Sequence, residues 1–290
     1  MNLLTRLMDW IAILRPVQWY KNTLLFLAPF FAVHAIAQTP WSALATGFAC
    51  FCAISSANYI LNDVWDRKAD RAHPTKKDRP IASGRIQPMQ ATITAVLLFL
   101  AGLGGAVSIH PLFGISALAL FAVSIIYSTY FKHHRYWDIF GIATNFVIRA
   151  SAGTFIIEQP LSPWLVACVF LLALFLALAK RRSEQFHLSE NGRKHRATLA
   201  RYKAAELDAL LKTVAAIVVL SYGAYCLHAI QTRPLLFSAP FIAFGLHRYY
   251  SLMHDEKWIP MAPEKMIADG PSVISLLAWF ISVFVVLYLI

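Results

Sequence analysis

Nine apolar stretches, each roughly the length needed to cross a bilayer, take up most of the 290-residue chain: 23–38, 41–61, 91–109, 112–131, 137–157, 162–179, 208–230, 235–253 and 271–290. In lipid a backbone must satisfy its own hydrogen bonds, so runs like these fold as helices. With 58% of residues hydrophobic and 14% charged, a soluble domain of this length could not hide its apolar surface. The expected fold class is therefore all-α, a polytopic membrane helical bundle of nine transmembrane helices. It forms a single domain over 1–290, with the connections 62–90, 180–207 and 254–270 as a cap over one face.

The net charge of +11 is unevenly spread. Lys and Arg number three before the first stretch, seven in 62–90, two in 132–136, eight in 180–207 and three around 254–270. If nine spans alternate, these 23 of the 26 cations lie on one face and Arg233 alone on the other, with Arg149 and Lys212 inside spans. Positive charge collects on the cytoplasmic side. The N-terminus and long connections are therefore expected in the cytoplasm of a bacterial inner membrane, and the C-terminus outside. The same asymmetry accounts for the basic balance without nucleic acid, for which no separate basic domain exists. The basic N-terminus and Ala35-Ile36-Ala37 resemble a signal peptide, but the polar "RPVQWYKN" just before the apolar run argues against cleavage. Cys50, Cys52, Cys168 and Cys226 all fall within spans and read as small packing residues.

Against this background "NDVWDRKADRAHPTKKDRPIASG", residues 62–84, stands out. Asn62, Asp63, Asp66 and Asp70 are spaced for one helical face, and Pro74 and Pro80 end the helix soon after. Carboxylates gathered in this way repel unless a cation neutralises them. Mg2+ suits the set, because it takes oxygen ligands and is commonly held by one or two carboxylates together with substrate phosphates. The plainer alternative is a solvated helix end with internal salt bridges; the coincidence with a basic loop at a membrane mouth favours a metal–phosphate site. Lys76, Lys77, Arg79 and Arg85 offer further phosphate contacts.

Other polar groups fall at the same face. "RPVQWYKN" supplies Lys21 and Asn22, while Trp19 and Tyr20 read as interfacial anchors. Tyr127, Lys132 and Asp138 flank a tight turn. Arg149 lies about three turns into the next span, and an intramembrane arginine faces a cavity or a partner. Asp138, Asn145 and Arg149 read as one polar stripe, with a buried, paired Arg149 as the structural alternative. In the second long connection Lys180, Arg181 and Glu184 share a helical face, and Arg201 and Tyr202 precede the next span.

These motifs resemble the UbiA superfamily of intramembrane prenyltransferases, with "NDVWDRKAD" as the first Asp-rich motif and "YSTYFK" also fitting. The aromatic prenyltransferases of that family carry a second Asp-rich motif in the later loop, where this chain has "KRRSEQ". "RPVQWYKN", "FVIRASAG", "KRRSE", "ARY" and "APEKMIADG" are similar to the decaprenyl-phosphate phosphoribosyltransferase branch. The resemblance implies transfer of 5-phosphoribose from phosphoribosyl diphosphate to a polyprenyl phosphate, for cell-envelope glycan precursors.

On that reading Asp63, Asp66 and Asp70 hold Mg2+ and Asn62 orients the diphosphate. Asp138 and Glu184 act on the ribose. Lys21, Lys77, Arg79, Lys132, Arg149, Lys180, Arg181 and Arg201, with Tyr127, contact substrate. Its partners are the two substrates and membrane lipid; a homo-oligomer and a downstream phosphatase are compatible with it. Two other readings stay open here. One is prenyl transfer from a prenyl diphosphate to an aromatic or glycerol-type acceptor. The other is transport of an anionic lipid or metabolite, against which the nearly uncharged external connections speak.

Overall fold

The structure, a computed structural model, describes residues 3–32, 38–187, 202–228, 230–254, 266 and 268–289. Arg201, the Ala35-Ile36-Ala37 site and most of the 254–270 connection lie outside these residues. The described residues are helical, with no strand. In chain order they form α1 (Leu3–Leu14), a 3-10 segment (Pro16–Phe26), α2 (Leu27–Phe31), α3 (Trp41–Trp65), α4 (Arg67–Arg71), α5 (Pro88–Ile109) and α6 (Pro111–Thr129). A short 3-10 turn (Phe131–His133) leads to α7 (Trp137–Ile156), α8 (Pro163–His187) and α9 (Ala204–His228). A second 3-10 segment (Ile230–Ser238), α10 (Ala239–His254) and α11 (Gly270–Tyr288) complete the chain.

Seven of these helices, α3, α5, α6, α7, α8, α9 and α11, are long and apolar enough to cross a membrane. The other two expected spans are built differently. Residues 16–31 form the 3-10 segment and the five-residue α2 rather than one continuous helix. The 235–253 stretch is divided between a 3-10 segment with Pro234 inside it and the 16-residue α10. Proline removes a backbone donor and clashes with the preceding turn, which ends regular helix. Sixteen residues rise only about 24 Å, short of the ~30 Å hydrocarbon layer.

The chain divides into two compact units, residues 1–129 with 148–160, and residues 130–147 with 161–290. Helix α7 gives its first half to the second unit and its second half to the first.

In the first unit α3 packs on α5 and α6 around Leu44, Phe51, Phe113 and Leu120, with the Phe51 and Phe113 rings stacked at 4.9 Å. Small residues permit the close approach: a Cβ on Gly102 would lie 2.9 Å from the Cys50 carbonyl, and one on Gly153 would lie 2.1 Å from the Leu25 carbonyl. The 72–87 connection is anchored as well, since Ile81 and Ile86 are buried against Ile13, Ala57 and Ile60. Arg71 Nε donates to the Ala82 carbonyl at 2.7 Å, and Gly84, with φ +85°, makes the turn back toward α5.

In the second unit α8, α9 and α10 pack around Phe175, Leu207, Leu211, Leu246 and Tyr249. Arg248 on α10 forks onto both oxygens of Asp269, at 3.1 and 2.8 Å. Asp269 in turn caps α11 by accepting from the Ser272 amide and hydroxyl. The Arg248 guanidinium holds the Asp269 carboxyl well below the usual carboxylate range, against the opposing effect of burial.

Candidate functional site

Two polar clusters stand out, one in each unit. The first gathers at the end of α3. Apolar packing carries α3 as far as Ile60, and Asp63, three residues on, is buried beside it. Asp63 Oδ1 accepts from Arg15 Nη2 at 2.6 Å and from Arg79 Nη1 at 2.9 Å. The same Arg79 nitrogen donates to Asp70 Oδ2 at 2.7 Å, and Lys76 Nζ lies 3.9 Å from Asp70 Oδ1. Arg15 has left-handed backbone, φ 52° and ψ 58°, and its guanidinium sits 5.1 Å from the centre of the Tyr59 ring.

Only part of the expected single helical face forms. Helix α3 ends at Trp65, Asp66 occupies the joint with φ −80° and ψ 0°, and α4 begins at Arg67. Asp63 and Asp70 converge on one cation, Arg79, while Asp66 and Asn62 are half-buried. Among the described residues no group of three or more His, Cys, Asp or Glu side chains is gathered closely enough to hold a metal ion by itself. Of the expected Asp63, Asp66 and Asp70, the first and last share Arg79, and Asp66 stands at the joint between α3 and α4. That pair still fits Mg2+: two carboxylate oxygens address a point where a cation already sits, and the remaining ligands of Mg2+ are commonly waters and phosphate.

The other residues expected here are distributed as follows. Lys77 is exposed, and Lys21 Nζ donates to Gln18 Oε1 at 2.6 Å. Arg85 grips Asp9 instead, with Nε 3.0 Å from each of its oxygens. Arg149 is buried and donates from Nε to Asn22 Oδ1 at 2.8 Å, with Ser55 Oγ 3.5 Å from Nη2. Tyr127 and Lys132 are half-buried at the end of α6 and in the turn after it.

The second cluster is centred on Arg181, which is 1% exposed. Its Nε donates to Asp138 Oδ2 at 2.6 Å and its Nη1 to Glu184 Oε2 at 2.7 Å. Asp138 Oδ1 accepts from the Tyr202 hydroxyl at 2.6 Å and from the Ile139 amide at 2.9 Å. The Tyr202 hydroxyl itself accepts from the Tyr136 amide at 2.8 Å. Burial, and then the bond to Asp138, raise the Tyr202 hydroxyl well above the ordinary tyrosine pKa. Around this centre Arg135 lies over the rings of Tyr136 and Tyr202, 4.6 and 5.3 Å from their centres, and pairs with Glu206. Arg182 forks onto Asp208 at 2.8 and 3.2 Å, and Lys180 is half-buried.

The expected stripe of Asp138, Asn145 and Arg149 is not one site. Asp138 and Arg149 are about 16 Å apart along α7, and they join the Arg181 cluster and the Asn22 cluster respectively. Asn145 donates to the Gly141 carbonyl one turn back. The sequence reading left out two residues that the geometry makes prominent. The sequence counts Arg15 only among the cations before the first stretch and places Tyr202 only before the next span, with no role for either. Contacts across 48 and 64 residues leave no local signal.

An all-helical chain with seven membrane-length apolar helices and polar clusters at helix ends and at buried positions within helices is a multi-pass membrane protein. Residues 23–258 match the UbiA prenyltransferase family. The decaprenyl-phosphate phosphoribosyltransferase of Mycolicibacterium smegmatis is 33% identical over 226 residues, covering 77% of this chain and 71% of that protein. The protein of that name from Corynebacterium glutamicum is 35% identical over 216 residues, covering 72% and 64%. A solved UbiA homologue from Archaeoglobus fulgidus, bound to DMAPP and Mg2+, superposes with a TM-score of 0.73 at 20% identity, covering 96% of this chain and 99% of that one. The chain belongs to the UbiA prenyltransferase family, a family of membrane-embedded transferases.

Proposed function

We propose that this chain transfers 5-phosphoribose from phosphoribosyl diphosphate to a polyprenyl phosphate of decaprenyl type. The carrying observation is the Asp138–Arg181–Glu184 hub at the end of α8. Transfer from a prenyl diphosphate by way of a second metal would need carboxylates free to face that metal. Here Asp138 and Glu184 are committed to Arg181, whose side chain is 1% exposed, whereas the Arg79 shared by Asp63 and Asp70 is 29% exposed and can give way to a metal and diphosphate. One metal–diphosphate site together with scattered cations suits a donor that is phosphorylated at both ends of its sugar. The identity to relatives named as phosphoribosyltransferases, along most of the chain, supports the same reading.

The roles follow from the two clusters. Asp63 and Asp70, with Asp66 nearby in sequence, would hold Mg2+, and Asn62 would orient the diphosphate. Mg2+ would offset the charge that develops on the leaving diphosphate. The bond from ribose C1 to the diphosphate oxygen breaks, and diphosphate leaves with the electron pair. A polyprenyl phosphate oxygen, already ionised near neutral pH, bonds to C1 and needs no general base. Arg79, Lys77, Lys21, Lys132, Arg149, Lys180 and Arg201, with Tyr127, are the phosphate and sugar contacts. Arg181, buried as it is, acts by fixing the end of α8, and Asp138 and Glu184 act through it. We place the enzyme in a bacterial inner membrane with nine spans, seven of them the long helices and two of them the composite 3-10 and α stretches 16–31 and 230–254, with the N-terminus and the 62–90, 180–207 and 254–270 connections in the cytoplasm and the C-terminus outside. A homo-oligomer and a separate phosphatase acting on the product remain compatible with this.

The test uses purified protein in detergent with ribose-labelled phosphoribosyl diphosphate, polyprenyl phosphate and Mg2+. Label is expected in the organic phase only with metal and lipid together, and chelator abolishes it. Asp63→Asn is expected to lower turnover about a hundredfold or more, since metal stabilisation of a leaving group is worth several kcal/mol. Transfer that survives both chelator and Asp63→Asn rules out the metal role. Transfer from a prenyl diphosphate instead rules out the donor.

A further inference from the structure

A groove of about 660 Å³ lies against α1 and the start of the 3-10 segment, lined by Met8, Ile11, Ala12, Pro16 and Val17 together with Arg15 and Gln18. Its walls are apolar and open to the surroundings: Met8 is 62% and Val17 72% exposed. The groove continues the exposed apolar stripe of α1, Leu4, Leu7, Met8 and Ile11, which recurs at helical spacing.

Arg15 links this groove to the first cluster. Its left-handed backbone is uncommon for a residue with a side chain. That conformation accompanies a guanidinium set between the groove and Asp63. One nitrogen, Nη2, bonds Asp63 at 2.6 Å; Nε and Nη1 make no hydrogen bond among the described residues, and the side chain is 27% exposed. A guanidinium has five N–H donors and binds phosphate through two of them at once. An apolar groove with one part-exposed cation in its lining complements an amphiphile with a single chain and a single phosphate. A soluble sugar diphosphate has nothing to place in the groove. A bulk phospholipid does not require its cation to be tied to a candidate metal ligand.

We infer that this groove takes the first isoprene units of the polyprenyl phosphate acceptor and that Arg15 takes its phosphate, bringing the nucleophile beside Asp63. The inference rests on the acceptor proposed above, and its test separates the two. A polyprenyl phosphate with a diazirine in the unit next to the phosphate is photolysed with the full-length protein in detergent, and the labelled peptide is mapped. Label is expected within residues 8–18, displaced by unlabelled polyprenyl phosphate and not by an equal amount of phosphatidylglycerol.

Met8→Trp, at an exposed position that leaves the fold alone, and Arg15→Gln should each reduce this labelling. Each should also raise KM for the lipid, Arg15→Gln about tenfold through the loss of roughly one phosphate contact, while in Met8→Trp KM for phosphoribosyl diphosphate stays within about twofold of wild type. Label outside 8–18, equal displacement by phosphatidylglycerol, or variants that leave both labelling and KM unchanged would overturn the groove. Label within 8–18 on a wild-type protein that transfers no ribose would uphold the groove as a prenyl-phosphate site and remove the proposed reaction.

Discussion

At the residue scale the most exacting feature is Arg181. A fully buried guanidinium is tolerable only because Asp138 and Glu184 neutralise it and accept its hydrogens. Arg181→Leu strands two carboxylates in the interior and should cost about 3–5 kcal/mol, read as a lowered thermal unfolding midpoint of the detergent-purified protein. Tyr202 gives a second, pH-dependent prediction. A hydroxyl whose pKa is higher in the folded chain than in the unfolded one binds its proton more tightly when folded. Its contribution is whole below about pH 10, the ordinary tyrosine value, and is lost as pH rises above that. Thermal stability followed from pH 8 upward should therefore fall more steeply above pH 10 in wild type than in Tyr202→Phe. An equal slope in the two proteins would contradict the Tyr202–Asp138 bond. The internal salt bridges given as the plainer alternative were legible in the sequence where partners are near, as with Asp63, Asp70 and Arg79, which are separated by at most 16 positions. The pairing of Asp138, whose partners Arg181 and Tyr202 lie 43 and 64 positions away, was not legible.

At the element scale α7 serves two packing environments, and its second half is pressed against the first 3-10 segment. Gly153 is where that contact is tightest, since any Cβ there would enter the Leu25 carbonyl. Gly153→Val should destabilise the protein by about 1–3 kcal/mol or more through overpacking. Gly104→Ala, on α5 with nothing within 4 Å, should be neutral or slightly stabilising. Equal unfolding midpoints for the two variants would contradict the close approach. Hydropathy alone found α3, α5, α6, α7, α8, α9 and α11, because an apolar run of sufficient length has one solution in lipid. It did not find the 3-10 segments, because apolarity says nothing about how prolines such as Pro234 divide a run. The break at Asp66 was missed for a related reason: spacing of i, i+3 and i+7 assumes a helix that continues, and α3 does not.

At the scale of the whole molecule, charge asymmetry is the property that sequence expresses most directly, because it is a sum over connections and not a matter of contacts. In a cysteine-free background, Arg233→Cys should react with a membrane-impermeant maleimide added to intact cells, and Lys77→Cys only after permeabilisation. The reverse pattern would invert the proposed orientation. The central claim is the transfer of an intact phosphoribosyl group, and one donor labelled twice tests it most directly: phosphoribosyl diphosphate carrying tritium in the ribose and 32P in the 5-phosphate, incubated with purified protein, Mg2+ and polyprenyl phosphate. The account predicts both labels in the lipid fraction at the ratio of the donor. No ribose label in the lipid, with a known phosphoribosyltransferase active alongside, would contradict it.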